Sequence, residues 1–207
     1  MKELILDFET MGVDPKTCAC IDLSVFVFDR ERFTTNPYTI HSIGEVRRFK
    51  LSVKDQVQNH SMAVEQGVLD FWAEQSKEVR TRIKPTVNDL TLPEFVSNFH
   101  NFLIENPVGY WWTRGNAFDP VILERLFSLV GKKEHLNEYL KYWKVRDTRT
   151  YIDTKFNFEN EKNSFCPIQD EALWESTFKK HDSSWDILAD VLRMQAITRA
   201  ENDMEQI

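Results

Sequence analysis

The sequence predicts an α/β fold in which a mixed β-sheet is flanked by α-helices, and three observations carry that expectation. Short β-branched and apolar runs crowd the stretch from Glu3 to Leu51. Apolar positions at helical spacing dominate much of the remainder. Between Val108 and Val130 a strand, a polar corner and a helix follow one another. With 207 residues, 42% of them hydrophobic, the chain can bury one substantial core, and a single domain over residues 1–207 is expected.

Glu3–Phe8 and the aromatic, β-branched run Ile21–Phe28 read as strands, and Glu45–Leu51 completes a meander. From Ser61 to about Gln75, Val64, Val68, Phe71 and Trp72 recur at helical spacing, with Gly67 as a mild cost inside the pattern. Thr91-Leu-Pro-Glu94 has the form of a capping box with an early proline, followed by Phe95, Phe99, Phe102 and Leu103 on one helical face. Val108–Thr113 reads as a strand; after the corner Arg114-Gly-Asn, Asp119-Pro120 opens a helix through Val130. A last helix starts near Ser183 and turns Ile187, Leu188, Val191, Leu192 and Met194 toward a core. The polar stretches 30–44 and 154–170 read as loops. The order is thus three strands, helices, one strand, then helices.

Charge and composition narrow the functional classes. No apolar stretch approaches the roughly 20 residues that a bilayer span needs, so no membrane association and a cytoplasmic location are expected. Cys18, Cys20 and Cys166 form neither a disulfide framework nor a CxxC knuckle. The net charge of −7 argues against a broad basic surface, although local basic groups remain, among them Lys141, Lys144, Arg146 and Arg149. Most such groups are ordinary solvated charge.

Asp7 and Glu9 stand two residues apart at the end of an apolar strand, so the alternation of a strand points both to one side. Two neighbouring carboxylates raise one another's pKa, and a hard divalent cation with oxygen ligands resolves the conflict. Alone, the pair also fits a solvated strand end. Asp119 before a proline fits a helix cap, Ser183-Ser-Trp-Asp186 has capping-box spacing, and His181 alone fits a hydrogen-bonded helix entry. The combination is more specific: a strand-end DxE, an aspartate at a strand-to-helix corner, and a histidine five residues before an aspartate at a final helix start.

With these three motifs the sequence resembles the DEDD exonuclease superfamily. Asp7-Phe-Glu9-Thr-Met-Gly12 matches its first motif, Phe118-Asp119 the core of its second, and His181-Asp-Ser-Ser-Trp-Asp186 its third. The histidine marks the DEDDh branch, because the tyrosine branch would place Tyr where Asp182 stands. DFETMG, WWTRGNAFDPVIL, YWKVRDTRT and HDSSWD look like the exonuclease A group of large tailed bacteriophages and related exoribonucleases, over nearly the whole chain. An asparagine common four residues before the second-motif aspartate is replaced by Gly115, with Asn116 one position later, so Asn116 receives no catalytic role.

The resemblance implies a ribonuclease H-like mixed β-sheet flanked by α-helices and hydrolysis from the 3′ end of single-stranded nucleic acid, DNA slightly favoured, releasing a nucleoside monophosphate. A phage-encoded member would work in the host cytoplasm. It also implies two ions, Mg²⁺ or Mn²⁺, held by Asp7, Glu9, Asp119 and Asp186, and two such ions can clamp the attacking and leaving oxygens of an in-line displacement. His181 is then the general base, its ordinary pKa of about 6.5 suiting neutral pH. The backbone of Thr10, Met11 and Gly12 would approach the 3′ end, and Phe118 would stack on or wedge a base. Trp72 and Gln75, read as one helical turn apart, are candidate nucleotide contacts, with packing the commoner fate of such a Trp. Arg114 and Arg149 are candidate phosphate contacts, with surface ion pairing the ordinary alternative. An exoribonuclease or a catalytically silent nucleic-acid-binding module are the alternatives, and neither substrate sugar nor oligomeric state is readable from the sequence.

Overall fold

The computed structural model describes residues 1–155 and 163–205. Five strands form one sheet: β1 (Lys2–Thr10), β2 (Cys20–Asp29), β3 (Arg47–Lys50), β4 (Tyr110–Thr113) and β5 (Val145–Asp147), in the spatial order β3-β2-β1-β4-β5. β1, β2 and β3 form an antiparallel meander, whereas β4 and β5 run parallel to β1. The carboxyl ends of β1, β4 and β5 therefore point the same way.

Alternation along β1 decides which side chains meet which layer. Leu4, Leu6 and Phe8 enter one core layer with Leu23, Val25 and Phe49. Helices α5 (Leu92–Glu105), α6 (Asp119–Leu129) and α7 (Lys133–Tyr139) cover that layer. Ile5 enters the opposite layer with Phe26, Phe28 and Trp112, under α10 (Ser183–Glu205). Asp7 and Glu9 continue the series of Ile5, so the pleat delivers both acids to the face that α10 covers.

α5 starts as the sequence predicts, with Thr91 and Glu94 forming a reciprocal capping box and Pro93 in the first turn. Phe49 receives three of its rings edge-on, Phe95, Phe99 and Phe102, with centroids 5.6–6.1 Å away. α10 is buried on nearly every side through Ile197, as expected of a helix enclosed between a sheet and other elements.

Several boundaries differ from the expectation. The helix expected from Ser61 begins at Gln66: α3 is Gln66–Ala73, and Ser61 ends the preceding α2 (Val53–His60) with φ +54°. Polar α2 lacks an apolar stripe, yet its Gln56 is buried and trades two hydrogen bonds with the Cys20 backbone, at 2.8 and 2.7 Å. The third strand is shorter than Glu45–Leu51, because Ile40–Glu45 forms a 3-10 turn. Stretch 30–44 also contains α1 (Arg32–Thr35) and is tied to α10 by Gln195, whose amide accepts from Tyr38 N at 2.7 Å and donates to Tyr38 O at 3.0 Å. β5, α4 (Lys77–Ile83), α8 (Thr148–Lys155) and α9 (Glu171–Thr177) were not predicted, each being too short for a clear apolar period. Of the expected loop 154–170, residues 156–162 lie outside the described residues, while its start ends α8 and Asp170 caps α9.

Phe99 sits fully buried among Phe49, Phe95, Phe102 and Phe127. Phe99→Ala should lower unfolding free energy by about 3–5 kcal/mol in a urea titration; a loss under about 1 kcal/mol would contradict this packing.

Candidate active site

Asp7, Glu9 and Asp186 each place a carboxylate oxygen within 4.8 Å of the others. Two come from the end of β1 and one from the first turn of α10, so the layer contact between sheet and helix creates the cluster. Asp119, at the start of α6, lines the same cavity of about 440 Å³ together with Arg114, Phe118, Arg149 and His181. It stands outside the tight trio, with Oδ1 accepting a hydrogen bond from Phe8 N at 3.0 Å across to β1. That bond ties the start of α6 to β1, beside a bond to the backbone of Asp119 itself.

Among the described residues no hydrogen-bond donor reaches the carboxylates of Asp7, Glu9 or Asp186, and their electrostatics follow from that isolation. Burial raises the Asp7 pKa well above the ordinary carboxylate value, with Asp119, Glu9 and Asp186 adding repulsion. Glu9 is raised by burial and by Asp22 and Asp186, against a lowering by Arg82. Asp186 is pushed up to about 7 by burial and by Asp190 and Asp182. Asp119 is pushed up to about 7 by burial, partly offset by its bond from Phe8. A site of this kind favours either protons or a cation.

The entry to α10 is held by a network that sequence reasoning did not find. Ser183, whose spacing to Asp186 also fits a capping box, donates instead to buried Asp22 Oδ1 at 2.7 Å. The cap is Asp182, whose Oδ1 accepts from Ser184 N at 3.0 Å, leaving Asp186 free of a capping role. Ser24 Oγ lies 2.7 Å from Ser183 Oγ and 2.8 Å from Ser184 Oγ. Each hydroxyl has one proton, so the order of donation is Ser184 to Ser24, Ser24 to Ser183, and Ser183 to Asp22. Arg48 and Arg82 both pair with Asp182, and each has a nitrogen 3.8 Å from Asp22 Oδ2. Arg82 Nη2 also donates to His181 O at 2.5 Å.

His181 adopts a left-handed backbone, φ +60°, which is uncommon for a side chain of its size, and Arg82 holds it by its carbonyl. Its ring stands edge-on to Phe71, centroids 5.0 Å apart, at the rim of the cavity. Burial, Lys180 and Arg82 lower its pKa, so the imidazole is neutral at neutral pH.

A second cavity of about 540 Å³ adjoins the first through Phe8, Glu9 and Phe118, and is walled by Thr10, Gly12, Glu65, Phe71 and Trp72. Trp72 is buried and donates from Nε1 to Thr10 O at 2.9 Å, so it both packs and lines the cavity. Gln75 lies beyond the end of α3, bonds Phe71 O at 2.9 Å and opens toward Lys179 and Lys180, so it does not share a cavity with Trp72. The Met11 backbone is occupied on both sides, its N–H by Ala19 O and its carbonyl by Glu65 N, each at 2.8 Å. A Cβ on Gly12 would lie 2.5 Å from Glu65 Oε1 and 2.9 Å from Cys18 Cβ, so the glycine makes room first for the protein itself.

Arg114 follows β4, before Gly115, whose φ of +106° turns the chain. It pairs with buried Asp190 at 2.6 Å, one turn after Asp186 on α10, and donates to Asn163 Oδ1 at 2.8 Å. Asp190 also binds Arg193 at 2.9 Å and Thr148 Oγ1 at 2.5 Å. Arg149 is exposed at the cavity mouth. The four-residue step from Asp186 to Asp190 was visible in the sequence, whereas Asp22, Arg48 and Arg82 converge only through the fold.

Comparison with known proteins agrees with this architecture. A curated exodeoxyribonuclease of Enterobacteria phage T4 is 28% identical over 220 residues, covering 99% of this chain and 92% of the relative. Exonuclease I from Methylocaldum szegediense superposes with a TM-score of 0.59 at 14% identity, covering 96% of this chain and 40% of its own. E. coli exonuclease I in complex with a dA16 oligonucleotide gives a TM-score of 0.57 at 16% identity, with 96% and 41% covered. The chain thus spans about two-fifths of those exonuclease I structures and shares their ribonuclease H-like fold. Residues 2–184 match the family described as the 3′-5′ exoribonuclease Rv2179c-like domain, and with that match over most of its length the chain belongs to this family of DEDD-type 3′-5′ exonucleases.

Proposed function

We propose that this chain removes nucleoside monophosphates from the 3′ end of single-stranded nucleic acid, DNA slightly favoured, with a carboxylate-held metal pair and His181 as general base. The observation that carries the reading is the trio of Asp7, Glu9 and Asp186 with oxygens within 4.8 Å and no hydrogen-bond donor among the described residues on any of the three. Such a donor set suits a hard divalent cation. Asp7, Glu9, Asp119 and Asp186 would hold Mg²⁺ or Mn²⁺ ions, which when bound supply charge stabilisation to the attacking and leaving oxygens at phosphorus.

The chain's own groups do the remaining work. Neutral His181, fixed through its carbonyl by Arg82, accepts a proton from the attacking water. Arg114, oriented by Asp190, and exposed Arg149 face the phosphate. The 540 Å³ cavity takes the terminal nucleotide, with Phe118 on the boundary between it and the scissile phosphate. The T4 relative's name favours DNA, while the family description favours the second reading, an exoribonuclease.

On 5′-labelled single-stranded DNA and RNA of equal sequence with Mg²⁺, a ladder shortening from the 3′ end is expected, faster on DNA; RNA turnover faster than DNA would establish the second reading. Asp7→Ala should lower kcat by at least about 10²-fold, and full activity in EDTA would overturn the metal requirement. His181→Ala should lose about 10²–10⁴-fold and flatten the acid side of the pH profile.

Stability gives a check independent of turnover. Asp119 and Asp186, at about 7 in the folded chain against 3.8 ordinarily, bind protons that the unfolded chain releases. Their contribution is present below about pH 4 and lost as pH rises through about 7. In EDTA, melting temperature should therefore fall from pH 4.5 to 7.5 more steeply for the wild type than for Asp186→Asn. Mn²⁺ should restore it at pH 7.5. Equal slopes, or no metal shift, would count against an ion-binding cluster.

A further inference from the structure

The edge strand β5 leads away from the catalytic cavity to a surface where basic side chains surround two exposed aromatic rings. Residues 140–146 carry Lys141, Lys144 and Arg146 and no acid, against a whole-chain charge of −7. Inside that run Tyr142 is 78% exposed and Trp143 57% exposed, the largest exposed aromatic pair among the described residues. Their rings stand edge to face at 5.0 Å. Lys141 Nζ lies 5.4 Å from the Trp143 ring, and the Arg146 guanidinium covers Tyr110 on the neighbouring strand at 4.5 Å.

The cations here differ in kind from those near the catalytic acids. Arg48, Arg82 and Arg114 are each paired with a buried aspartate, whereas no ion pair among the described residues takes Lys141, Lys144, Arg146 or Arg149. Exposed aromatics between unpaired cations are the components of a stacking platform for single strands, since every base has a π-face and every link a phosphate. Placement adds direction. β5 runs from the aromatic turn at Tyr142–Lys144 to Asp147, and Arg149 just beyond lines the catalytic cavity.

We propose that this edge is a second binding surface for single-stranded nucleic acid. Trp143 and Tyr142 stack on bases upstream of the scissile bond, and Lys141, Lys144 and Arg146 pair with the phosphates there. The inference rests on the exonuclease reading for the direction of the strand. From Arg149 at the cavity the path to the aromatic turn covers the start of α8 and the three residues of β5, the latter roughly 10 Å. The two steps of a trinucleotide span about 7 Å at a stacked rise of about 3.4 Å, so a trinucleotide seated at the 3′-end site stops short of the platform.

The test compares a 30-nucleotide single strand with a trinucleotide on the full chain. In EDTA, Tyr142→Ala/Trp143→Ala should weaken binding of the long strand about tenfold or more. Trp143→Phe should recover much of it. Lys141→Gln/Lys144→Gln should reduce the salt dependence of binding by about two phosphate contacts. With Mg²⁺, trinucleotide turnover should be unchanged in both double variants while KM on the long strand rises. Long-strand affinity and salt slope equal to wild type in folded variants would overturn the proposal and leave the patch to a protein partner or a second copy of the chain. A wild type that cleaves neither substrate would instead overturn the exonuclease reading, and the EDTA binding comparison would still decide this surface.

Discussion

Repulsion among Asp7, Glu9 and Asp186 is the constraint around which the sheet end and α10 are arranged. The hydrophobic layer beneath α10 forces the helix onto β1 and β2, and that same contact drives three acids together. The apolar contacts along α10 hold the acids in place despite their mutual charge. A polypeptide that avoided the repulsion by moving α10 would expose Ile187, Leu188, Val191 and Leu192, each worth about 1.5–3 kcal/mol when buried.

Two clamps of buried ion pairs flank the cluster. On the β2 side, Asp22 and Asp182 meet Arg48 and Arg82; on the β4 side, Asp190 meets Arg114 and Arg193. A buried ion pair offers little net stability over an apolar replacement, but removing one partner leaves a costly bare charge. The clamps therefore serve position more than stability: one fixes the entry to α10 and the His181 carbonyl, the other aims Arg114 into the cavity. Phe8, Glu9 and Phe118 line both this cavity and the adjoining apolar one, whose far wall includes Phe71 and Trp72.

What the sequence disclosed and what it hid differ by the range of the interaction responsible. The pairing of Asp7 with Glu9 follows from the two-residue period of a strand, and α5 from a local capping box, so both were readable from neighbouring residues. The three acidic motifs and His181 were legible as a set by family resemblance, and they line one cavity. α2 was missed because its buried residue is a glutamine satisfied by Cys20, thirty-six positions away. Arg82 and Asp22 gave no signal, since nothing local distinguishes a clamped arginine from a solvated one. Ser183 resembled a helix cap in spacing but found a better acceptor in Asp22 once the sheet was in place. Gln75 looked like a partner of Trp72 until the helix ended before it.

α10 unites two roles that many enzymes divide between a rigid scaffold and a movable loop: it is the most enclosed helix of one core layer and the bearer of Asp186 and Asp190. Its first turn is tied to Asp182 at Ser184, Trp185 and Asp186 and is packed on that layer, which opposes fraying where the candidate carboxylate sits. The carboxylate cluster is thereby bound to the integrity of that core layer under heat or denaturant.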